Sequence, residues 1–549
     1  MELRGKQRKS ALPLLLVFIL LLASVRPVMA DGGKVKNIIV MVADGCGAAH
    51  ATIARWYKGE PLALDEMLVG GIRTYSADSL ITASAPAATA FATGHKTNDP
   101  FIGVLYEKVT LPGIPKIRGD LRTKPLATVL EGAKLQGKAV GLVATSNIQH
   151  ATPAAYSAHT PDRRDYAEIA KQQVYLNIDV VLGGGKQYLL PEGQGGTRKD
   201  GEDLVAVLKN KGYTFIQTRD ELLHVEGKKV WGMFADDALA NEFDREKFAP
   251  QEPSLAEMTR TALRLLSQND KGFFLFVEGS KVDWAAHANE PIGVISELLA
   301  FDDAVAAALE FAKKDGRTLI LAFSDHGTGG MSLGKNKTSG RVRLEALVTP
   351  LKKAVLTGEG LERALGEDLS ESNIVSVLAR YYGLSDLTPE EIAAVQKFKK
   401  GNLKATVGPM LSNRTPIGWT TSGHTGEDLF LYAYGPNRPV GLIENTEIAH
   451  ICARNLGFDL PYMDQRLFSP AQQLFKPLGA RLSIDQSDPL HPALIVEKGA
   501  LRLEFPFSQN IMKKGEQIYE MEGLTVFAPK TERVYLPRQA AELAKKAGM

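Results

Sequence analysis

Val277-Glu278-Gly279-Ser280-Lys281-Val282-Asp283-Trp284-Ala285-Ala286-His287 decides how this chain is read. The apolar run Phe273–Val277 has the look of a buried strand, and it stops at Glu278. Asp283 and His287 follow four residues apart, so on a helix they share one face and can grip a single ion. Some forty residues on, Asp325-His326 closes a second apolar run, Thr318–Phe323, which reads as a buried parallel strand. Open α/β sheets keep their sites at the carboxyl ends of their strands. A mixed carboxylate and imidazole set suits zinc, with a coordination position left open for catalysis. Taken singly, each residue also reads as a capping carboxylate or a surface histidine. Two acidic–His pairs, each joined to a strand-like run, favour the metal.

Working outward, Asn37–Val42 ends at Ala43-Asp44-Gly45, Ala139–Thr145 at Ser146-Asn147, Asp179–Leu182 at three glycines, and Leu429–Tyr434 at Gly435-Pro436. Between them lie helical patterns such as Leu126–Gln136, Ser254–Ser267 and Ile292–Lys313. This alternation predicts an α/β fold, a three-layer α/β/α sandwich with a central, mostly parallel sheet. Residues 328–422 turn helical and charged and read as an insertion beside the site, separating His326 from His424. After about residue 480 short alternating segments (Ala493–Glu497, Leu501–Pro506, Leu524–Ala528) predict a small β-rich appendage closed by a helix over Pro537–Ala547. The expected division is therefore a leader over 1–30, a catalytic domain over 31–480 and a small C-terminal domain over 481–549.

The leader has a basic start (Arg4, Lys6, Arg8, Lys9), an apolar stretch Ala11–Val25 and small residues for cleavage at Val28-Met29-Ala30. The rival, a retained anchor, needs roughly 20 apolar residues. Cleavage takes away five basic residues and Glu2, so the formal charge of +2 becomes −2. The alkaline pI is thus no argument for nucleic acid as a specific partner. The expected location is the periplasm or the exterior, with no membrane span once the leader is gone. Cys46 and Cys452, the only cysteines, are expected as free thiols.

Ile81-Thr82-Ala83-Ser84-Ala85-Pro86-Ala87-Ala88-Thr89-Ala90 is built almost wholly of small residues. The alanines favour a helix, and Pro86 is tolerated in its first turn. Ser84 then sits at the amino terminus, where free backbone N–H groups favour an anion. It reads either as an ordinary cap or as a nucleophile, and a hydroxyl becomes a useful nucleophile only with a base or a metal beside it.

From about Asn37 to about Pro461 the chain resembles the bacterial alkaline phosphatases. The resemblance rests on Ala43-Asp44-Gly45, the Ser84 segment through Thr93-Gly94-His95-Lys96-Thr97, Ala151-Thr152-Pro153-Ala154-Ala155 and Ala158-His159-Thr160-Pro161-Asp162-Arg163. It continues through the Val277–His287 block, Ser324-Asp325-His326 and Gly423-His424-Thr425-Gly426. The resemblance implies a phosphomonoester hydrolase that works through a phosphoserine on Ser84, with two Zn2+ and one Mg2+ per subunit. Asp283, His287 and His424 would hold the first zinc. Asp44, Asp325 and His326 would hold the second, and Asp44, Thr152 and Glu278 the magnesium. Arg163 would clamp two phosphate oxygens of small phosphomonoester substrates. A homodimer is expected, with a monomer as the alternative. The enzyme rival is a phosphodiesterase or nucleotide pyrophosphatase of the same superfamily, whose members usually lack the Arg clamp and third metal. A rival of another class is an inactive, metal-stabilised surface-binding protein.

Three positions depart from the family pattern. Ala83 stands where an Asp commonly orients the arginine, His150 where some members have Asp, and Trp284 where some place a phosphate-binding lysine. His95 and His159 are expected to be structural, and Lys96 and Lys281 solvated.

Overall fold

The computed structural model describes residues 34–335 and 341–549, so the leader expected over 1–30 lies outside the described residues. Ten strands form the central sheet: β1 (Asn37–Ala43), β2 (Leu68–Arg73), β3 (Ala139–Asn147), β4 (Val180–Gly184), β5 (Thr214–Ile216), β6 (Val230–Met233), β7 (Phe273–Gly279), β8 (Thr318–Phe323), β9 (Leu429–Tyr434) and β10 (Gly441–Glu444). Their spatial order is β10-β2-β9-β8-β1-β7-β3-β4-β6-β5. Only β9 runs antiparallel to its neighbours, β8 and β2. The expected three-layer α/β architecture is present.

Every residue of β1 is buried. Because side chains alternate between faces, Ile38, Val40 and Val42 join one apolar cluster and Ile39, Met41 and Ala43 the other. A strand buried on both sides has to be apolar throughout, which is why β1, β7 and β8 were plain in the sequence. β2 and β10 were not anticipated. They lie at the sheet margin, half exposed and carrying Gly70, Gly71 and Gly441, so neither an apolar run nor a clean alternation marks them.

A third cluster gathers Leu351, Leu361, Tyr382 and Val407 of the 328–422 segment against Ile292 and Ile295 of the helix Pro291–Asp315. The segment leaves and returns side by side, with Met331–Leu333 antiparallel to Ile417–Trp419 and Gly327–Thr328 antiparallel to His424–Thr425. Beyond it, Arg481–Asp485, Ala493–Lys498, Leu501–Pro506, Ile511–Lys514 and Gln517–Glu520 form an antiparallel sheet with its own apolar cluster around Phe475, Val496 and Phe505.

Lys281 and Lys96 correct the expectation of solvated lysines. Lys281 is 2% exposed. Its ammonium donates to the Leu239 carbonyl at 2.9 Å and meets Glu359 at 3.0 Å, tying the inserted segment to the helix that carries Asp283. Lys96 donates to the Tyr75 carbonyl at 2.7 Å and lies 3.4 Å from Glu444. Long stems let both lysines be buried once a carboxylate and a carbonyl receive the charge.

Lys281→Met is expected to lower stability by about 1–2 kcal/mol in denaturant unfolding, because Glu359 loses one of its two cations and keeps Lys404 at 2.7 Å. The pH dependence has a definite sign. Burial opposes ionisation of Glu359, but the charges of Lys281 and Lys404 prevail and hold its carboxyl down to about 2, against an ordinary 4.5. A depressed value in the fold means that this contribution is full above pH 4.5 and fades as pH falls toward 2. The variant's deficit should therefore shrink over that window.

Candidate active site

β1, β7 and β8 lie side by side and in parallel, with Val42 level with both Glu278 and Phe323. Each strand delivers its acid at the same end, Asp44 just past β1, Glu278 within β7 and Asp325 just past β8. All three are fully buried. The turn after β7 starts the helix Lys281–His287, and its one-turn spacing brings His287 Nε2 to 3.4 Å from Asp283 Oδ2. His424 returns through the pairing with Thr328, its Nε2 3.1 Å from that of His287 and 3.8 Å from Asp283 Oδ1.

The ligand atoms form three groups: Asp283, His287 and His424; Asp44, Asp325 and His326; and Asp44, His150 and Glu278. Within each, the atoms lie within 4.8 Å of one another. Asp44 belongs to two of the groups. The first two triads are the sets expected from the sequence. The third contains His150, and Thr152 joins it with a buried hydroxyl that faces Glu278.

Ser84 is the first residue of the helix Ser84–Thr93, and Ala83 before it is extended and has no capping side chain. The free N–H groups of the first turn are therefore left for an anion. Ser84 Oγ lies 3.2 Å from His326 Nε2. Arg163, in the loop after Thr160, places Nη2 3.3 Å from His150 Nε2. Trp284 stands edge-on to the His150 ring, with centroids 5.8 Å apart. Outside, a cavity of about 510 Å³ bounded by Ser76, Asp78, Ala83, Asp99 and His424 gives access.

The electrostatics favour a cation. Burial first, and then the charges of Asp325, Asp283 and Glu278, push the Asp44 carboxyl well above its ordinary value. Burial raises Glu278 to about 7. Both oxygens of Asp44, Oε1 of Glu278 and Oδ2 of Asp325 are buried with no hydrogen-bond partner among the described residues. Unpaired buried carboxylate oxygens are costly unless they face a charge. Burial and the neighbouring His326 push His424 down to about 4, and loss of solvent with the Arg163 charge pushes His150 to about 3. Both rings are neutral at working pH, as metal ligands must be.

Two supporting residues escaped the sequence reading. Thr328 donates to Asp283 Oδ1 at 2.6 Å and lies 3.2 Å from His326 Nδ1, linking two groups. Ser280 donates to Glu278 Oε2 at 2.7 Å. Neither had a signal beyond adjacency to a ligand. The expected structural role of His159 agrees with its burial between Glu131 at 3.2 Å and the Gly103 carbonyl at 2.9 Å. Cys46 and Cys452 are free thiols. No helix of the described residues is long and apolar enough to cross a membrane.

A serine at a helix amino terminus, set among buried carboxylates and neutral imidazoles, has the layout of a hydrolase for anionic esters. Comparison with known proteins narrows the class. The alkaline phosphatase family profile matches residues 35–458. Alkaline phosphatase 4 of Bacillus subtilis is 39% identical over 445 residues, covering 77% of this chain and 88% of that protein. The solved alkaline phosphatase of Thermus thermophilus matches with a TM-score of 0.69 at 30% identity, covering 78% of this chain and 92% of that one. A variant of TAB5 alkaline phosphatase in which a histidine is replaced by aspartate, described with magnesium in its M3 site, matches with a TM-score of 0.56 at 26% identity over 78% of this chain and 99% of that one. The chain belongs to the alkaline phosphatase family and is a phosphoric monoester hydrolase.

Proposed function

We propose that the chain hydrolyses small phosphomonoesters in two displacements through a phosphoserine on Ser84. The observation that carries this reading is the placement of Ser84 Oγ 3.2 Å from His326, a member of the Asp44–Asp325 ligand group. Asp283, His287 and His424 are the donors for one zinc, and Asp44, Asp325 and His326 for a second. Asp44, Glu278 and Thr152 are the oxygen donors for a magnesium. His150 adds an imidazole to that third set only where it releases Arg163, since a neutral ring has one lone pair, and so placed it biases the site toward a softer ion. When bound, such ions supply positive charge to the serine alkoxide and the leaving oxygen.

The chain's own residues do the rest. The helix amino terminus behind Ser84 favours its alkoxide, so the hydroxyl gives up its proton to solvent and Ser84 Oγ attacks phosphorus in line. The bond to the leaving alcohol breaks, and the alkoxide takes a proton from water. Arg163, held against His150, offers a planar fork to two non-bridging oxygens. A second in-line attack, by water, breaks the Ser84–phosphorus bond, returns the serine hydroxyl and releases inorganic phosphate. A diester has one free oxygen and one negative charge fewer than a monoester, so with two oxygens on the fork it has none left to face the ligand groups. Turnover of an aryl phosphate, against its aryl diester and with chelator added, tests the reading. Preference for the diester, or full activity after ion removal, would overturn it.

Export is part of the same proposal, supported by the basic, apolar and small-residue order of residues 1–30. So is the division into a catalytic domain over 31–480 and a small domain over 481–549, supported by an apolar cluster around Val496 and Phe505 that also takes in Ala471 and Phe475, while Leu524, Val526 and Tyr535 join the main core.

Ala83 makes product release testable. With no carboxylate beside the nucleophile, Arg163 depends on one 3.3 Å contact to a neutral ring, weaker than a charge-assisted bond. Ala83→Asp is expected to tighten inhibition by inorganic phosphate by about 1–2 kcal/mol, or roughly tenfold. Measuring the phosphate inhibition constant of both proteins at one pH decides this. An unchanged constant would mean that His150 alone fixes the arginine.

A further inference from the structure

At the end of the sheet opposite the site, the residues just before β1, β3, β7 and β8 enclose a cavity of about 830 Å³. Lys34, Lys36, Lys138, Lys271, Arg317 and Arg454 line it, with Asp270 as the one carboxylate among the lining residues. Among the described residues no ion pair reaches the first five, and Arg454 meets Glu447 only at 4.0 Å. Past residue 30 the chain carries a formal charge of −2, so a basin of six cations is a local concentration and no reflection of overall composition.

The fold does not consume these charges. Lys138 alone has a structural task, donating to the Lys36 carbonyl at 2.9 Å and the Lys271 carbonyl at 2.7 Å. Lys34, Lys271, Arg317 and Arg454 are exposed. Burial, then the charges of Lys36 and Lys34, depress Lys138, the mark of like charges crowded without counterions. An anion relieves this repulsion, and releasing the anion's own counterions adds to the gain.

From this basin we infer that the chain has a second binding site, for a linear polyanion whose charges are phosphodiester groups. Six cations spread over a basin of about 830 Å³ suit a chain of repeated charges better than one small anion. The cavity is concave and has no exposed large hydrophobic side chain in its lining, whereas a membrane-docking face buries apolar residues in the bilayer. It also contains no aromatic residue, so it lacks the stacking platform by which single-stranded nucleic acids are held. A polyol phosphate chain without bases fits what remains. Strands β1, β7 and β8 separate the basin from Asp44, Glu278 and Asp325 by about 20 Å, so polymer and substrate bind at opposite poles. Diester links are inert to a monoesterase, and the polymer survives as a tether that holds the enzyme where phosphate esters are shed.

The test uses the full metal-loaded protein and fluorescent poly(glycerol phosphate), followed by anisotropy across a salt series. Binding should be unaffected by saturating inorganic phosphate, with log affinity falling against log salt at a slope of about −4 for six cations. The variant Lys271→Gln/Arg317→Gln/Arg454→Gln should lose at least about tenfold in affinity at 0.1 M salt, and its slope should fall to about −2. Its aryl phosphate turnover should match the parent's, which also reports folding. Competition by inorganic phosphate, parental affinity in the triple variant, or tighter binding to phosphatidylglycerol vesicles than to the polymer would each overturn the proposal.

Discussion

Ser84→Ala is expected to lower phosphomonoester turnover by at least about 10³-fold while the protein keeps its fold and its ion content. The size follows from the two-step mechanism, because without Oγ neither the first displacement nor the phosphoserine exists and only direct attack by water on bound substrate remains. The fold should hold because Ser84 makes one side-chain contact, to His326 at 3.2 Å, and Ala83 and Ala85 on either side already show that alanine suits this helix start. Acid quenching of the parent with labelled substrate should leave phosphate on Ser84, and the same quench of the variant should leave none. Parental turnover in the variant, or label on another residue, would sink the phosphoserine mechanism.

How much of this was legible depended on whether a residue's signal was local. β1, β7 and β8 announced themselves because strands buried on both faces must be apolar throughout, and the acid that ends each run marks the carboxyl edge. Asp283 and His287 were readable as a pair, since one helical turn fixes their relation. His424 stood in the sequence as a candidate ligand, but its place with Asp283 was carried only by the family resemblance. It reaches Asp283 through two-residue strands, Gly327–Thr328 and His424–Thr425, that no periodicity can reveal. Lys281 was misread because its partners, Leu239 and Glu359, come from distant segments. The contact of His150 with Arg163 was invisible for a related reason. Thirteen residues apart, the two meet only because the Thr160 backbone pairs with Ile102 and folds the intervening loop back.

Removing one ligand at a time should separate the ion sites, because the groups share only Asp44. His424→Ala takes away one of three donors from the Asp283 group and leaves the Asp325 and Glu278 groups intact. That site's zinc affinity should fall by at least about 100-fold, since losing even a supporting partner costs 10–100-fold. Turnover should fall with it, by at least about 100-fold at limiting zinc. Glu278→Gln should act differently. It keeps the Ser280 contact as an amide but removes the charge facing Asp44, so the third ion should be lost while two zincs remain. Asp44→Asn is the decisive case, because a bridging carboxylate serves two sites and its loss should empty both. Metal analysis after zinc and magnesium loading should therefore count three ions in the parent, two in His424→Ala, two in Glu278→Gln and one in Asp44→Asn. A parent with one ion or none would refute the three-ion reading. An Asp44→Asn protein that loses a single ion would refute the bridge, which two buried carboxylate oxygens with no hydrogen-bond partner among the described residues support.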